Sequence, residues 1–279
     1  MSGMINLISA GWIRIVRSII FWFGVFCMCF LSFWFCFYDY SPYRQQSADP
    51  IYTEEVYFNL LPYIGIFLAV VISMTAGKEI SMGTLRNKLS TGHTRYNVYF
   101  SQIILGMGIS VVLLLAHFIT SGICCYCFFL PIRFSVWELV LCALTVITGT
   151  AVYTSLFVAI TMNMHHLSHA VVVSLGSVFV LMQQSSRIHN SLSESRLVAG
   201  EYIETSDRAY YKLVINPYYP TGLKRKFLEF LQDMLPHGQL IQIMEGDLSS
   251  AWLWPILSVV FAAGILITGY WIFRRKNIR

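Results

Sequence analysis

Six stretches of the chain, each at least 20 residues long, contain no Asp, Glu, Lys or Arg. They cover residues 18–38, 56–77, 96–132, 139–164, 167–186 and 248–273. An α-helix needs about 20 apolar residues to cross the hydrocarbon layer of a membrane, which is roughly 30 Å thick. Charged residues make up 12% of the chain, which is about half the share of a soluble domain. The sequence therefore predicts an all-α integral membrane protein without a separate soluble domain.

The third stretch, at 96–132, is too long for one crossing and barely long enough for two. Two crossings would place the basic C-terminus on the opposite side from Arg14 and Arg17, whereas one crossing keeps them together. We therefore predict a single domain over residues 1–279 with six transmembrane helices. The predicted spans lie at about 18–38, 56–77, 97–120, 139–163, 167–186 and 251–273.

Basic residues near the span ends predict the orientation, because cytoplasmic loops carry an excess of Lys and Arg. The side predicted to hold both termini and the loop 78–95 has one acid, Glu79, while the short loops opposite contain only Arg44 and Arg133. Both termini are therefore predicted to be cytoplasmic in a multi-pass protein of the cell membrane, and residues 187–247 to be extracellular. The basic residues on the predicted cytoplasmic side are Arg14, Arg17, Lys78, Arg86, Lys88, Arg95, Arg274, Arg275, Lys276 and Arg279.

Two shorter segments have apolar residues at helical spacing. Residues 5–19 predict an amphipathic helix in the membrane interface, although the pattern also fits an extended start to the first span. Its apolar residues are Ile5, Ile8, Trp12, Val16 and Ile19. Residues 222–235 follow a turn-rich NPYYPTG run and predict a helix that, with the residues up to 243, packs back to the outer leaflet as a re-entrant-type segment. Its apolar residues are Leu223, Phe227, Phe230, Leu231 and Met234.

The common catalytic motifs are missing from the sequence. It contains no GxxxxGK[ST], H-E-x-x-H, G-x-S-x-G or paired CxxC pattern, so we predict no catalytic residues and no enzymatic activity in this chain. His165, His166 and His169 are too few ligands to predict a metal site. His117 lies inside the third span, where an ionisable group is a candidate for a translocation path. A neutral histidine hydrogen-bonded between helices is the alternative.

The loop between the second and third spans predicts a short helix. Ser81 is expected to cap its start, Leu85 and Leu89 to share one face, and Gly92 to end it. Two exposed leucines need a partner for that face. The alternative is a helix that lies on lipid with its two basic residues facing anionic headgroups.

This loop resembles the coupling region of the ABC type-2 exporter permease family. The pattern is Glu79-x-x-x-Gly83-Thr84-Leu85, then Gly92 and Arg95, followed directly by a transmembrane helix. In that family the region joins the second and third spans, as it does here. The resemblance implies that the loop couples this chain to a partner. The residues implied are Glu79, Gly83, Thr84, Leu85, Arg86, Lys88, Leu89, Gly92 and Arg95.

A second resemblance lies in the run at 216–243 (NPYYPTGLKRKFLEFLQDMLPHGQLIQI), which is similar to the outer segment of permeases from Gram-positive bacteria. Together the two stretches imply a permease subunit that pairs with a second copy or a related permease in the membrane lipid. They also imply two cytoplasmic ATP-binding subunits, which would hold ATP and magnesium, so that this chain has no cofactor of its own. No nucleic-acid partner is expected.

The resemblance further implies export of an amphipathic or hydrophobic substrate, such as an antimicrobial peptide or a drug, by alternating access. Two other functions stay open from the residues alone. A secondary transporter would need ionisable or broken-helix sites near the membrane midplane. A membrane signalling or scaffold protein is the other alternative.

Overall fold

The computed structural model describes residues 2–39, 52–58, 60–127, 131–205 and 208–276. Six of its helices are long and apolar enough to cross a membrane. The chain is therefore a multi-pass, mainly helical membrane protein, as its uncharged stretches predict. Its helices are α1 (Ser2–Val16), α2 (Ile19–Asp39), α3 (Thr53–Phe58), α4 (Ile64–Ser81), α5 (Thr84–Ser90), α6 (Arg95–Cys127), α7 (Val136–Asn163), α8 (Leu167–Ser193), α9 (Gly222–Met234), α10 (Pro236–Glu245) and α11 (Trp254–Arg275).

The six long helices are α2, α4, α6, α7, α8 and α11, and their bounds differ in places from the predicted spans. The third stretch forms one continuous helix, α6, in agreement with a single crossing. The second span begins later than residue 56, because α3 and a short 3₁₀ helix (Leu61–Tyr63) precede α4. Helix α8, which corresponds to the fifth predicted span, continues past residue 186 to Ser193. Uncharged composition alone does not separate a span from the short helices that lead into it.

Both ends of the described chain lie at the same end of the bundle. Arg95, at the start of α6, donates hydrogen bonds from Nη1 to the carbonyl oxygens of Arg274 (2.8 Å), in the last turn of α11, and of Lys276 (2.7 Å), just beyond it. The N-terminal helix α1 packs on α6. We call this the loop end, because it also carries α5. The opposite end, which carries α3, α9 and α10, is called the outer end.

The core of the bundle is built around α4, which packs against both α7 and α8. Leu68 and Ile72 of α4, and Tyr153 and Phe157 of α7, are fully buried there. By contrast, only 28%, 17% and 22% of the residues in the most apolar windows of α2, α8 and α11 are buried. Most residues in these three windows are therefore exposed or only half-buried.

The N-terminal helix is separate from the first span, because α1 ends at Val16 and α2 begins at Ile19. Its inward face overlaps only in part with the predicted apolar face. Ile8 and Trp12 of the predicted face pack against the core, beside the buried Leu7 and Ile15, whereas Ile5 and Ile19 are exposed. Periodicity alone cannot show which side of a highly apolar helix its neighbours cover.

A two-stranded antiparallel hairpin corrects the all-α prediction. Its strands are β1 (Leu197–Thr205) and β2 (Arg208–Ile215), with Leu197 opposite Ile215 and a register shift between Ala199 and Tyr202. Both strands are rich in β-branched and aromatic residues, which favour extended structure. The predicted extracellular segment thus contains strands as well as helices.

Two short helices follow the hairpin, and α10 is the more buried of them. Pro236, Gly238 and Ile243 of α10 are buried against α7, α8 and α3. Helix α9 lies on α8 and α10, but its predicted apolar face points away from them, with Leu223 and Phe227 exposed.

Candidate functional site

The predicted loop helix is present as α5, and two glycines bound it. Gly83 precedes the helix with φ 69°, and Gly92 follows it with φ 91°. These left-handed conformations are costly for residues with a Cβ. Ser81 does not cap α5 as predicted, because it is the last residue of α4 and its hydroxyl donates to the carbonyl of Lys78. Instead, Thr84 Oγ1 donates to the carbonyl oxygen of Glu79 (2.8 Å) and ties α5 to α4.

The side chain of Glu79 joins four helices at the loop end. Its Oε1 accepts a hydrogen bond from Nη2 of Arg14 on α1 at 2.5 Å. Its Oε2 accepts from Nζ of Lys88 on α5 at 2.5 Å and from Nε2 of Gln102 on α6 at 2.7 Å. The Glu79 side chain is only 10% exposed, and charge-assisted bonds of this kind are stronger than neutral ones. Glu79 therefore holds α1, α5 and α6 to the end of α4.

Leu85 and Leu89 do not form the exposed apolar face that the sequence predicts. Leu85 is 3% exposed and belongs to the main hydrophobic core, and Leu89 packs against that core. The partner that their i, i+4 pattern requires is the span bundle itself. Since the leucines face inward, the exposed surface of the loop is mainly polar. It consists of Ser81, Met82, Arg86, Asn87, Ser90, Thr91, Gly92 and Thr94.

Arg95 and Lys276 fasten the last span at the same end. Besides its bonds to Arg274 and Lys276, Arg95 donates to the carbonyl oxygen of Phe273 (3.1 Å). Lys276 Nζ donates to the carbonyl oxygens of Met162 (3.2 Å) and Met164 (2.7 Å) at the end of α7. Cations at helix C-termini satisfy the last carbonyl groups and complement the helix dipole. Burial lowers the pKa of Lys276. The predicted coupling residue Arg95 therefore has an internal role.

His117 is fully buried between α2, α3 and α6. Its Nδ1 lies 2.8 Å from Ser32 Oγ, and its Nε2 lies 2.8 Å from the carbonyl oxygen of Tyr57. Both ring nitrogens thus have protein partners, and this arrangement agrees with the alternative of a histidine bonded between helices. A role for His117 in a translocation path stays a prediction.

The histidines between α7 and α8 lie close together without forming a ligand set. The rings of His166 and His169 meet edge to face, with their centroids 5.3 Å apart. Across the described ranges, no three side chains of His, Cys, Asp or Glu are grouped in a way that could hold a metal ion.

A polar network at the outer end was not predicted from the sequence. Asp233 Oδ1 of α9 accepts from Trp254 Nε1 (2.9 Å), Ser250 Oγ (3.1 Å) and Gln242 Nε2 (3.2 Å). Gln239 of α10 donates to Ser258 Oγ of α11 at 3.0 Å. These bonds tie the two short helices to the last span, so α9 packs through its polar side.

Comparison with known protein families finds no family model that matches this chain, and no curated protein matches its sequence.

Proposed function

We propose that this chain is the membrane-spanning permease subunit of an ATP-driven exporter of the ABC type-2 kind. In this proposal the loop end is cytoplasmic, because it carries the excess of basic residues that marks that side. Two cytoplasmic ATP-binding subunits contact it there. The observation that carries the proposal is the loop helix α5, which is fastened to the bundle through Glu79 while its outer surface is exposed.

A helix that transmits motion must be joined to what it moves. Helix α5 is joined to α4 through Thr84, to α1 and α6 through the carboxylate of Glu79, and to the core through Leu85. A force on its outer surface would therefore displace the loop-end halves of α4 and α6 together. ATP shifts the equilibrium between inward-open and outward-open states only by its different affinity for the two.

The inward burial of the leucines revises the surface that meets the ATP-binding subunit. In the proposal, that contact is made by Met82, Arg86 and Asn87, while Glu79, Leu85 and Lys88 act as positioning residues. Gly83 and Gly92 shape the loop. Methionine adapts to irregular apolar clefts, and arginine is enriched at protein interfaces.

The largely exposed helices α2, α8 and α11 are proposed to face lipid and the second permease subunit. Helix α9 is proposed to lie in the outer leaflet, with Leu223 and Phe227 toward lipid and Asp233 toward the protein. That arrangement suits a re-entrant-type segment whose polar groups are covered by protein. The proposed cargo is an amphipathic or hydrophobic compound.

Site-specific photo-crosslinking tests the proposal. A photoreactive amino acid replaces Asn87 on α5, and in a matched control it replaces Lys224, which is exposed on α9 at the outer end. The chain is expressed together with a candidate ATP-binding subunit from the same genome. We expect a crosslink to that subunit from position 87 only, and loss of transport-coupled ATPase activity in Arg86→Glu at normal membrane abundance.

Crosslinking from position 87 to lipid alone would instead show that α5 lies on the membrane surface. Crosslinking to the ATP-binding subunit from position 224 would reverse the proposed orientation.

A further inference from the structure

A pocket opens at the loop end between α1, α4, α6 and the start of α2. Its volume is about 380 Å³, which falls in the range of small-ligand sites, about 300–1,000 Å³. Its walls have a polar part near the loop and an apolar part nearer the middle of the bundle. The polar part includes Arg14, Arg17, Lys78, Glu79 and Gln102.

The charge of the pocket is positive. Its lining contains three cations and one acid, and both oxygens of Glu79 are already bonded to Arg14, Lys88 and Gln102. Across the described ranges, the side chains of Arg17 and Lys78 form no hydrogen bond or ion pair with another residue. Two cations therefore face this pocket without a counter-charge.

The apolar part of the pocket lies deeper in the bundle. On α4, Ile72 precedes Lys78 by six residues, and on α6, Ile109 follows Gln102 by seven. At a rise of about 1.5 Å per residue, these isoleucines lie roughly 9–11 Å along the helix axes from the polar residues. A ligand that fills the pocket must therefore be anionic at one end and apolar at the other.

We propose that this pocket binds an anionic phospholipid. The phosphate contacts Arg17 and Lys78, and the first part of an acyl chain packs on Ile72 and Ile109. Basic pockets between transmembrane helices on the cytoplasmic side suit acidic lipid headgroups. A zwitterionic lipid fits less well, because it brings its own cation to a site with a positive balance. A free phosphate would leave the apolar part uncovered.

The test uses the full chain, purified in an uncharged detergent, with thermal stability measured during titration. Four probes are compared: short-chain phosphatidylglycerol, phosphatidylcholine of the same chain length, glycerol 3-phosphate and inorganic phosphate. We expect saturable stabilisation by phosphatidylglycerol alone, weakened by added salt. This comparison needs no variant, so it is independent of any effect of substitution on folding.

A variant then locates the binding site. Arg17→Gln with Lys78→Gln is expected to weaken phosphatidylglycerol binding about 30-fold, since each cation near an anionic lipid contributes about 1 kcal/mol. The matched control is Arg274→Gln, an exposed cation at the loop end that does not line the pocket. It should bind the lipid with wild-type affinity.

The proposal would be overturned if phosphatidylglycerol and phosphatidylcholine bound equally well. It would also be overturned if Arg274→Gln weakened phosphatidylglycerol binding as much as the double variant does. Binding of either free phosphate probe as tightly as the lipid would show that the ligand is a soluble anion. None of these measurements requires the ATP-binding subunit, so their outcome is separate from that of the proposed export function.

Discussion

Removing the charge of Glu79 should loosen the loop end as a whole. In Glu79→Gln, the ammonium of Lys88 loses its counter-charge while it is only 13% exposed. Breaking a buried ion pair from one side costs about 3–5 kcal/mol. We take the lower end, about 3 kcal/mol, because Lys88 keeps some contact with solvent and the Gln amide can still accept a hydrogen bond. Losing the ion pair with Arg14 adds little to this loss of stability, because the Arg14 side chain is 46% exposed and exposed pairs contribute about 0–1 kcal/mol.

Thermal unfolding in detergent measures this effect. A change of 1 kcal/mol shifts the Tm of a chain of about this size by roughly 2–4 °C, so Glu79→Gln should lower it by roughly 6–12 °C. Variants are compared at one scan rate, because unfolding of such proteins is commonly irreversible. The matched control is Glu229→Gln, which removes an exposed carboxylate paired with Arg225 at i, i+4. Its shift should be no more than roughly 1–2 °C.

A double variant separates the ion pair from other effects of the substitution. Adding Lys88→Gln to Glu79→Gln removes the uncompensated cation, so the double variant should unfold at a higher temperature than Glu79→Gln. If Glu79→Gln unfolds within about 2 °C of the wild type, the carboxylate does not hold the helices together and the reasoning is refuted.

Two further predictions use the same assay. Leu85→Ala truncates a buried side chain and should lower the free energy of unfolding by about 2–5 kcal/mol. Met82→Ala, a change at an exposed residue of the same loop, should alter it by no more than about 0.5 kcal/mol. Wild-type stability of Leu85→Ala would mean that this leucine is not in the core. Burial lowers the pKa of His237, so the unfolded chain takes up a proton at a higher pH than the folded chain and stability is lost as the pH falls through about 6.5. His237→Gln should therefore lose less stability than the wild type between about pH 7 and about pH 5. The control His169→Gln, a change at an exposed residue, should lose as much as the wild type. Equal loss of stability in both variants would show that His237 is not its source.

The six helices that are long and apolar enough to cross a membrane could be predicted from the sequence. Placing a charged side chain in hydrocarbon costs free energy, so such helices appear as uncharged runs. The single crossing at 96–132 followed from keeping the basic termini together, and it agrees with the continuous helix α6. The start of α4 could not be predicted in the same way. Val56 and Pro62 are as apolar as a span, yet they belong to short helices before it.

The loop shows why a helical pattern does not identify the partner. Leu85 and Leu89 are spaced to share a face, but the same spacing serves an outside protein, a lipid surface or the chain's own core. The third case holds here. Likewise, Glu79 could be recognised as the only acid on its side, but its bonds to Arg14 and Gln102 join residues far apart in sequence. Such contacts depend on how three helices cross, which no local pattern records.

The sequence by itself determined that this chain is a mainly helical membrane protein, that six of its stretches are long and apolar enough to cross a membrane, and that a short helix ending near Gly92 lies between the second and third of them. These features depend on local composition: uncharged length, basic flanks and residues that tolerate left-handed backbone. Only the tertiary structure decided which face each helix buries, as in the inward leucines of α5 and the inward polar side of α9 around Asp233. In a chain that is 56% hydrophobic, nearly every helix has an apolar face that could be buried. The contacts between helices, rather than hydrophobicity, therefore decide which residues lie inside.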